Sequence, residues 1–384
     1  MRILHVMRAF SQLSETFIYD SLRALDRLGG VEQHVACSVR ENRESRPFNR
    51  VDVWSELPWY DSRDAWERIH RQLETRNDRL PRMASARAHL SRLTSRLKPD
   101  VIHAHFGHFG VVASPVSISS GVPLVVSLYG HDISRLPLRR CWRRAYHQLW
   151  RVAARVCVLS EDMRSTALSL HCRPDRVAVQ HLGRRLREIE YTPKSGPIRR
   201  LLSIGRLVEK KGHLDLIEAI ATDELSDMSL DIIGDGPLMA TLARVIEQHG
   251  VTSRVRLLGS RPNHETLNFM RRCDAFALTS RTASDGDQEG TPTVLVEAQA
   301  LGRPVVSTLH AGIPEMVPIE HHRFLAREGD IAGIRRSIRE LRACCAPEIS
   351  ELVLRGRKKM EREFDADDLA GQLHCVYEEA TGCR

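Results

Sequence analysis

The sequence predicts an α/β protein made of two doubly wound domains, each a parallel sheet with helices on both faces. Three observations carry that expectation. Short apolar runs alternate with segments of helical period along most of the chain, the pattern of repeated β-α units. The 384 residues suffice for two domains of ordinary size. A stretch rich in charge, Pro and Gly, GRRLREIEYTPKSGP from Gly183, separates two such series. The expected division is 1–185 for a first domain, 186–198 for a linker, 199–364 for a second domain and 365–384 for a terminal helix. The crevice between the domains is the default binding site.

In chain order, Arg2–Met7 is an apolar strand. A helix then runs from SQLSETFI to Leu28, where Gly29-Gly30 stops it; Ser14 with Phe17, Ile18, Leu22 and Leu25 makes a capped amphipathic pattern. Glu32–Val39 is the second strand. Residues 40–98 are charged and say little: Trp54, Trp59 and Trp66 point to packing, and 64–97 reads as Arg-rich helix broken at Pro81. Asp100–Phe106 and Pro123–Leu128 are strands that each run into a Gly-containing turn. Ser134–Arg155 is a basic helix, followed by strand Val156–Ser160, helix Glu161–Leu170 and strand Val177–His181. The second series has strands at Leu201–Ile204, Leu230–Ile233, Val255–Leu258, Ala275–Ser280 and Pro304–Ser307. One helix opens at His264-Glu265, and another spans Thr293–Leu301 and stops at Gly302 and Pro304. A strand near 323–326 and helices at 330–345 and 348–363 precede the closing FDADDLAGQLHCVYEEAT.

Composition narrows the class. An apolar share of 42% and a charged share of 28% are those of a globular protein. No window holds eighteen uninterrupted apolar residues, so no membrane-spanning helix is expected. The start, MRILHVMRAFSQLSETF, is too short in its apolar run for a signal peptide. Nine scattered cysteines without a CxxC suggest a reducing cytosol rather than disulfides or zinc. A formal charge of +8 fits an anionic substrate, a membrane surface or nucleic acid.

The chemistry gathers where strands end. After Ala275–Ser280, the loop 281–291 carries Asp285, Asp287 and Glu289, and Glu297 lies about a turn into the next helix. In an open parallel sheet this is where ligands bind. Backbone amides from Gly290 and Thr291 to Val294 make a seat for an anion. Carboxylates instead accept hydrogen bonds from hydroxyls. Together they suit a sugar joined to a diphosphate; the plain alternative is a charge favouring the helix dipole plus a solvated face. In GRLVEKKG, Arg206 and Lys211 bring two cations to another strand end, the complement of a diphosphate, with Lys210 less suited. Gly234-Asp235-Gly236 stands alone and is no dinucleotide fingerprint. Tyr129-Gly130-His131-Asp132 is a polar cluster at a strand's carboxyl end. There Asp132 either orients a hydroxyl or caps the next helix. His103 and His105 share a strand face and His108 follows, yet no carboxylate or Cys stands at ligand spacing, so no metal is expected. The segment 134–155 has seven arginines, no acid, and Trp142, Tyr146, Leu149 and Trp150 interleaved. It fits an anionic membrane surface or lipid phosphate first, a solvated helix second and nucleic acid last.

The run DGDQEGTPTVLVEAQALGRPVVST, with HAGIPE after it, resembles the donor-sugar motif of the retaining family-four glycosyltransferases of GT-B fold. SETFI and IHAHFG are similar to the exopolysaccharide, colanic-acid-type branch of that family. The resemblance implies two Rossmann-like domains facing a central cleft, with the terminal helix crossing back to the first. It implies that Glu289 binds donor sugar hydroxyls, Glu297 the ribose, and Arg206 and Lys211 the diphosphate. Glu15 and Tyr129 fall on the acceptor side, and the catalytic groups are sought among Asp132, His131 and Glu289. The commoner family form has His where Tyr129 stands, and His131 fills a variable slot, so either could take that role. The family commonly follows the Gly at 183 with an aliphatic residue and Asp; this chain has Arg184 and Arg185.

The function so implied is a metal-independent, retaining hexosyltransferase without a cofactor. It would use a nucleotide-sugar donor, UDP-glucose or UDP-galactose, and a saccharide or lipid-linked oligosaccharide acceptor. Its expected place is the cytoplasm, on the inner face of the plasma membrane if 134–155 lies on lipid, and no nucleic-acid partner is expected. The rival readings are a nucleotide-sugar epimerase or phosphorylase on the same fold and a basic nucleic-acid-binding module. Removing Arg206 or Lys211 is expected to cost turnover far more than folding.

Overall fold

Backbone hydrogen bonding sorts the apolar runs into two parallel sheets. The computed structural model describes residues 1–12, 16–54, 80 and 83–382. The strands are β1 (Arg2–Phe10), β2 (Glu32–Arg40), β3 (Val51–Val53), β4 (Val101–His105), β5 (Leu124–Ser127), β6 (Arg155–Val158), β7 (Val177–Val179), β8 (Arg200–Ile204), β9 (Ser229–Ile233), β10 (Val255–Leu257), β11 (Ala275–Leu278), β12 (Val305–Thr308) and β13 (Leu325–Ala326). The first sheet has the order β3-β2-β1-β4-β5-β6-β7 and the second β10-β9-β8-β11-β12-β13. Every pairing is parallel. In each sheet the chain begins in the middle, winds out one way, then returns and winds out the other. The direction reverses between β1 and β4 and between β8 and β11. Helices cover both faces, which is why β4, β5, β11 and β12 are buried at every residue and read as unbroken apolar runs.

The chain divides into two compact units, 1–182 with 366–384, and 183–365. The terminal helix Ala366–Thr381 belongs to the first unit. Its Leu373, Val376 and Tyr377 are buried with Ile3, Leu25, Val101 and Val125. Arg27 pairs with Asp367 at 2.5 Å, and the Gln180 amide donates to the Leu369 carbonyl at 3.0 Å.

Several expectations change. Residues 186–198 are not a free linker: Leu186, Ile189 and Ile198 are buried in the second unit, and Lys194 pairs with the buried Asp274 at 2.8 Å. Apolar residues between charges anchor this stretch. The three-residue β3 was not foreseen, since so short an edge strand leaves no periodicity. Trp54 is buried with its ring 5.7 Å from His89, whereas Trp59, Trp66 and Ser14 lie outside the described residues. The basic helix is Arg140–Val152. Its Trp142, Tyr146 and Trp150 are in the first unit's core, so its aromatic side is not a surface; Arg140, Arg143, Arg144 and Arg151 are exposed. Among the described residues no helix is long and apolar enough to cross a membrane.

Tyr377 has no exposed surface. Tyr377→Ala is expected to cost the first unit about 4 kcal/mol. Peptide-resolved hydrogen exchange should quicken in β1, β4 and β5 and stay unchanged in β8, β9 and β11.

Candidate active site

The second unit gathers charged side chains at its reversal point, on the loops that leave β8 and β11. After β8 the chain turns through Gly205–Gly212 before the helix His213–Ile220. Gly212 has φ +64°, and a Cβ there would stand 1.8 Å from the Thr279 carbonyl oxygen. Only glycine lets the β8 loop lie that close to the end of β11. The Thr279 hydroxyl donates to the Gly212 carbonyl at 2.7 Å and ties the two loops together.

The cations in this loop have distinct partners. Lys210 is buried and donates to Asp287 Oδ1 at 3.1 Å and to the Gln288 carbonyl at 3.0 Å. It shapes the acidic loop. Lys211 Nζ lies 2.5 Å from Glu289 Oε2, with the two side chains 12% and 11% exposed. Arg206 is exposed and has no ion pair among the described residues. Burial alone would raise the Glu289 carboxyl. The charges of Lys211 and Lys210 and the Lys211 hydrogen bond overcome it, and the group is held down at about 2.

Glu289 is also fixed through its backbone. Its N–H donates to His310 Nε2 at 3.0 Å, and His310 Nδ1 is 2.6 Å from Glu328 Oε1. Because Nε2 accepts, Nδ1 carries the hydrogen toward Glu328. Gly290 and Thr291 are buried next to it, and the helix Thr293–Ala300 starts without a side-chain cap. Its first amides are therefore of the kind that hold anions. Glu297 is 5% exposed, one turn into that helix, and its Oε1 is 2.8 Å from Arg184 Nε. The Arg184 that departs from the family pattern thus sits on the expected ribose carboxylate.

The structure brings Lys211 to Glu289, and it places Arg206, Gly290 and Thr291 on loops at the same end of neighbouring strands, with Glu297 on the helix that follows. Lys210, His310, Glu328 and Arg184 were missed as supports. Their contacts span from 18 to 113 positions of sequence, and no periodicity records such pairs.

In the first unit the Tyr129–Asp132 cluster does follow β5, with Asp132 enclosed beneath it. It has no exposed surface. Its Oδ1 accepts from the Tyr129 and Gly130 amides at 2.9 and 3.0 Å, and its Oδ2 from the Gly107 amide at 2.8 Å. Asp132 clamps the loops after β4 and β5 through these amides. His131 opens the short helix His131–Ser134, half-buried, 6.0 Å ring to ring from His108. Tyr129 is half-buried between Phe17 and Phe106, with ring centroids at 4.9 and 4.8 Å. Phe106 holds φ +73°, strained for a bulky side chain, as residues at functional sites often are. Glu15 lies outside the described residues. His5 of β1 joins His103 and His105, and the ring nitrogens of the three lie within 4.8 Å. The register of β1 against β4, with His5 opposite His103, makes that cluster.

Fold and site together define a doubly wound α/β protein with a cation-and-carboxylate cluster past the carboxyl ends of its second sheet. The chain matches the family model "Glycosyl transferase 4-like domain" over residues 14–183 and "Glycosyl transferases group 1" over 187–345. It is 32% identical over 291 residues to the amylovoran biosynthesis glycosyltransferase AmsK of Erwinia amylovora, covering 73% of this chain and 70% of that one. WcaL of Escherichia coli (strain K12), named for colanic acid biosynthesis, is 31% identical over 72% of this chain and 70% of its own. The chain belongs to the group 1 glycosyltransferases. Among solved structures, Anabaena Alr3699/HepE in complex with UDP-glucose superposes with a TM-score of 0.75 at 20% identity, over 98% of this chain and 99% of that one. Sucrose-phosphate synthase from Thermosynechococcus elongatus does so at 0.79 and 15%, over the whole of both. These likenesses agree with the GT-B class expected of two doubly wound domains.

The pairing of Lys211 reverses the expectation for its removal. Lys211→Met leaves a largely buried carboxylate without its cation, and should cost about 3 kcal/mol of stability. Arg206→Ala should leave the melting temperature unchanged. Because the Glu289 carboxyl is lower in the folded state, its contribution is present above its ordinary value of 4.5 and fades as pH falls toward about 2. Acid titration of wild type and Glu289→Gln should therefore converge over that window.

Proposed function

We propose that this glycosyltransferase moves a hexose from UDP-glucose or UDP-galactose to a hydroxyl of a saccharide or lipid-linked oligosaccharide, with retention and without a metal, in exopolysaccharide or cell-surface glycan synthesis. One observation carries it: the Lys211–Glu289 pair stands beside an uncapped helix start and an exposed Arg206. The names of WcaL and AmsK support the exopolysaccharide setting, and the UDP-glucose held by HepE supports the donor.

The bond from the anomeric carbon to the diphosphate oxygen breaks, and negative charge grows on the leaving group. Arg206, the remaining N–H groups of Lys211 and the backbone amides of Gly290, Thr291, Thr293 and Val294 meet that charge. The acceptor oxygen bonds the same carbon from the leaving group's face, and its proton passes to the departing phosphate. Glu289, ionised and cation-held, accepts sugar hydroxyls. A glycosidase-type acid needs a raised carboxyl, and this one is lowered. The ribose is read by the Glu297–Arg184 pair rather than by a lone carboxylate.

The test is a donor screen scored by nucleoside diphosphate release, with and without n-octyl β-glucoside as hydroxyl acceptor. Acceptor-dependent UDP release that Arg206→Ala cuts at least about tenfold supports the reading. Full activity in Arg206→Ala and Glu289→Gln would remove the assigned clamp. Thermal shift with UDP, GDP and a short RNA separates the rival: stabilisation by RNA alone favours the nucleic-acid module.

The membrane role rests on the exposed Arg140, Arg144 and Arg151 with no acid on their helix. Vesicles of 30% phosphatidylglycerol should sediment the protein at low salt. The triple change of these arginines to Glu should abolish it, since each is worth about 1 kcal/mol near an anionic surface.

A further inference from the structure

Beneath Tyr129 runs a buried chain of hydrogen bonds whose direction the geometry determines. The Gln33 amide nitrogen donates to the Leu22 carbonyl at 2.8 Å and to Asp26 Oδ1 at 2.7 Å. Its Oε1 is therefore the atom 3.1 Å from His5 Nε2. An amide oxygen only accepts, so His5 Nε2 carries the hydrogen. Burial keeps His5 neutral, near 3, so its Nδ1 is a lone pair. His105 Nε2, 3.1 Å away, must donate to it. Burial holds His105 far below its ordinary value as well, leaving its Nδ1 to accept from the Tyr129 hydroxyl at 2.7 Å.

We propose that Gln33, His5 and His105 form a one-way hydrogen-bonded chain that turns the Tyr129 hydroxyl inward and leaves its oxygen an acceptor-only group, which orients a hydroxyl of the sugar-accepting substrate. This rests on the transferase reading. A substrate hydroxyl that meets Tyr129 must donate to it. Its proton then points at Tyr129, so the group held there is a hydroxyl of the acceptor beside the attacking one, whose own proton goes to the departing phosphate. The chain moves no proton, because passing one inward would place a charged imidazole at a fully buried site. Gln33, His5 and His105 are positioning residues for Tyr129.

The test is long-range nitrogen–proton correlation on the full chain labelled with ¹⁵N-histidine, assigned with His5→Gln and His105→Gln. Both His5 and His105 should appear as neutral Nε2–H tautomers. Gln33→Leu should release His5 from that single form. In transfer to n-octyl β-glucoside, Gln33→Leu and Tyr129→Phe should raise the acceptor KM about threefold to tenfold, the worth of one hydrogen bond, with donor KM unchanged. A His105 found as the Nδ1–H form overturns the proposal. Its Nε2 would then be a lone pair, as a metal ion shared by His5, His103 and His105 would need, and bound zinc in the purified protein would confirm that outcome. An unchanged acceptor KM in both variants overturns the orienting role. The expected tautomers without transfer of any sugar would sink the transferase reading and leave the chain standing.

Discussion

The ion pair between Lys211 and Glu289 is the constraint around which the second unit's charged cluster is arranged. A carboxylate this enclosed stays ionised only if a cation is at hand, and a lysine this enclosed needs an anion. Each partner comes from a different strand end, so β8 and β11 must end side by side. Gly212 allows the close approach, Lys210 shapes the acidic loop, and the His310–Glu328 contact holds the Glu289 backbone. The pair in turn leaves Lys211 with N–H groups to spare and Glu289 as an acceptor, the two properties a sugar diphosphate asks for.

The first unit uses buried polar groups differently. Asp132 spends both oxygens on backbone amides and fastens the loops after β4 and β5. The histidines of β1 and β4 bond to one another and to Gln33, Tyr129, Ser127 and Tyr377. Such a network is stable in a dry interior only when its members are satisfied, and satisfaction gives it a direction. Asp132, sought among the catalytic groups in the sequence, thus holds loops together, while the histidines hold one another and their neighbours.

Arg184 shows how one departure from a family pattern can be absorbed. It stands where an aliphatic residue is usual, and it lies on Glu297, the carboxylate expected at the ribose. The neighbouring backbone pairs Arg184 with Asp365, where the chain passes between its two units. A nucleotide that uses Glu297 therefore meets a carboxylate already shared with a guanidinium.

The alternation of apolar runs with helical segments determined the two doubly wound sheets without further help, because strands covered on both faces must be apolar throughout. That Arg206, Lys211, Glu289 and Tyr129 stand in loops after strands was also legible, since apolar runs mark where the strands stop. Tertiary structure decided the partnerships. That Lys211 takes Glu289 while Lys210 takes Asp287, that Arg184 reaches Glu297, and that His5 completes a cluster with His103 and His105 depend on strand order and register. It also decided which polar groups are enclosed: Asp132 proved a buried clamp, and 186–198 a packed segment. A linear pattern records which residues alternate, but contacts between distant loops arise only when the sheet sets those loops next to each other.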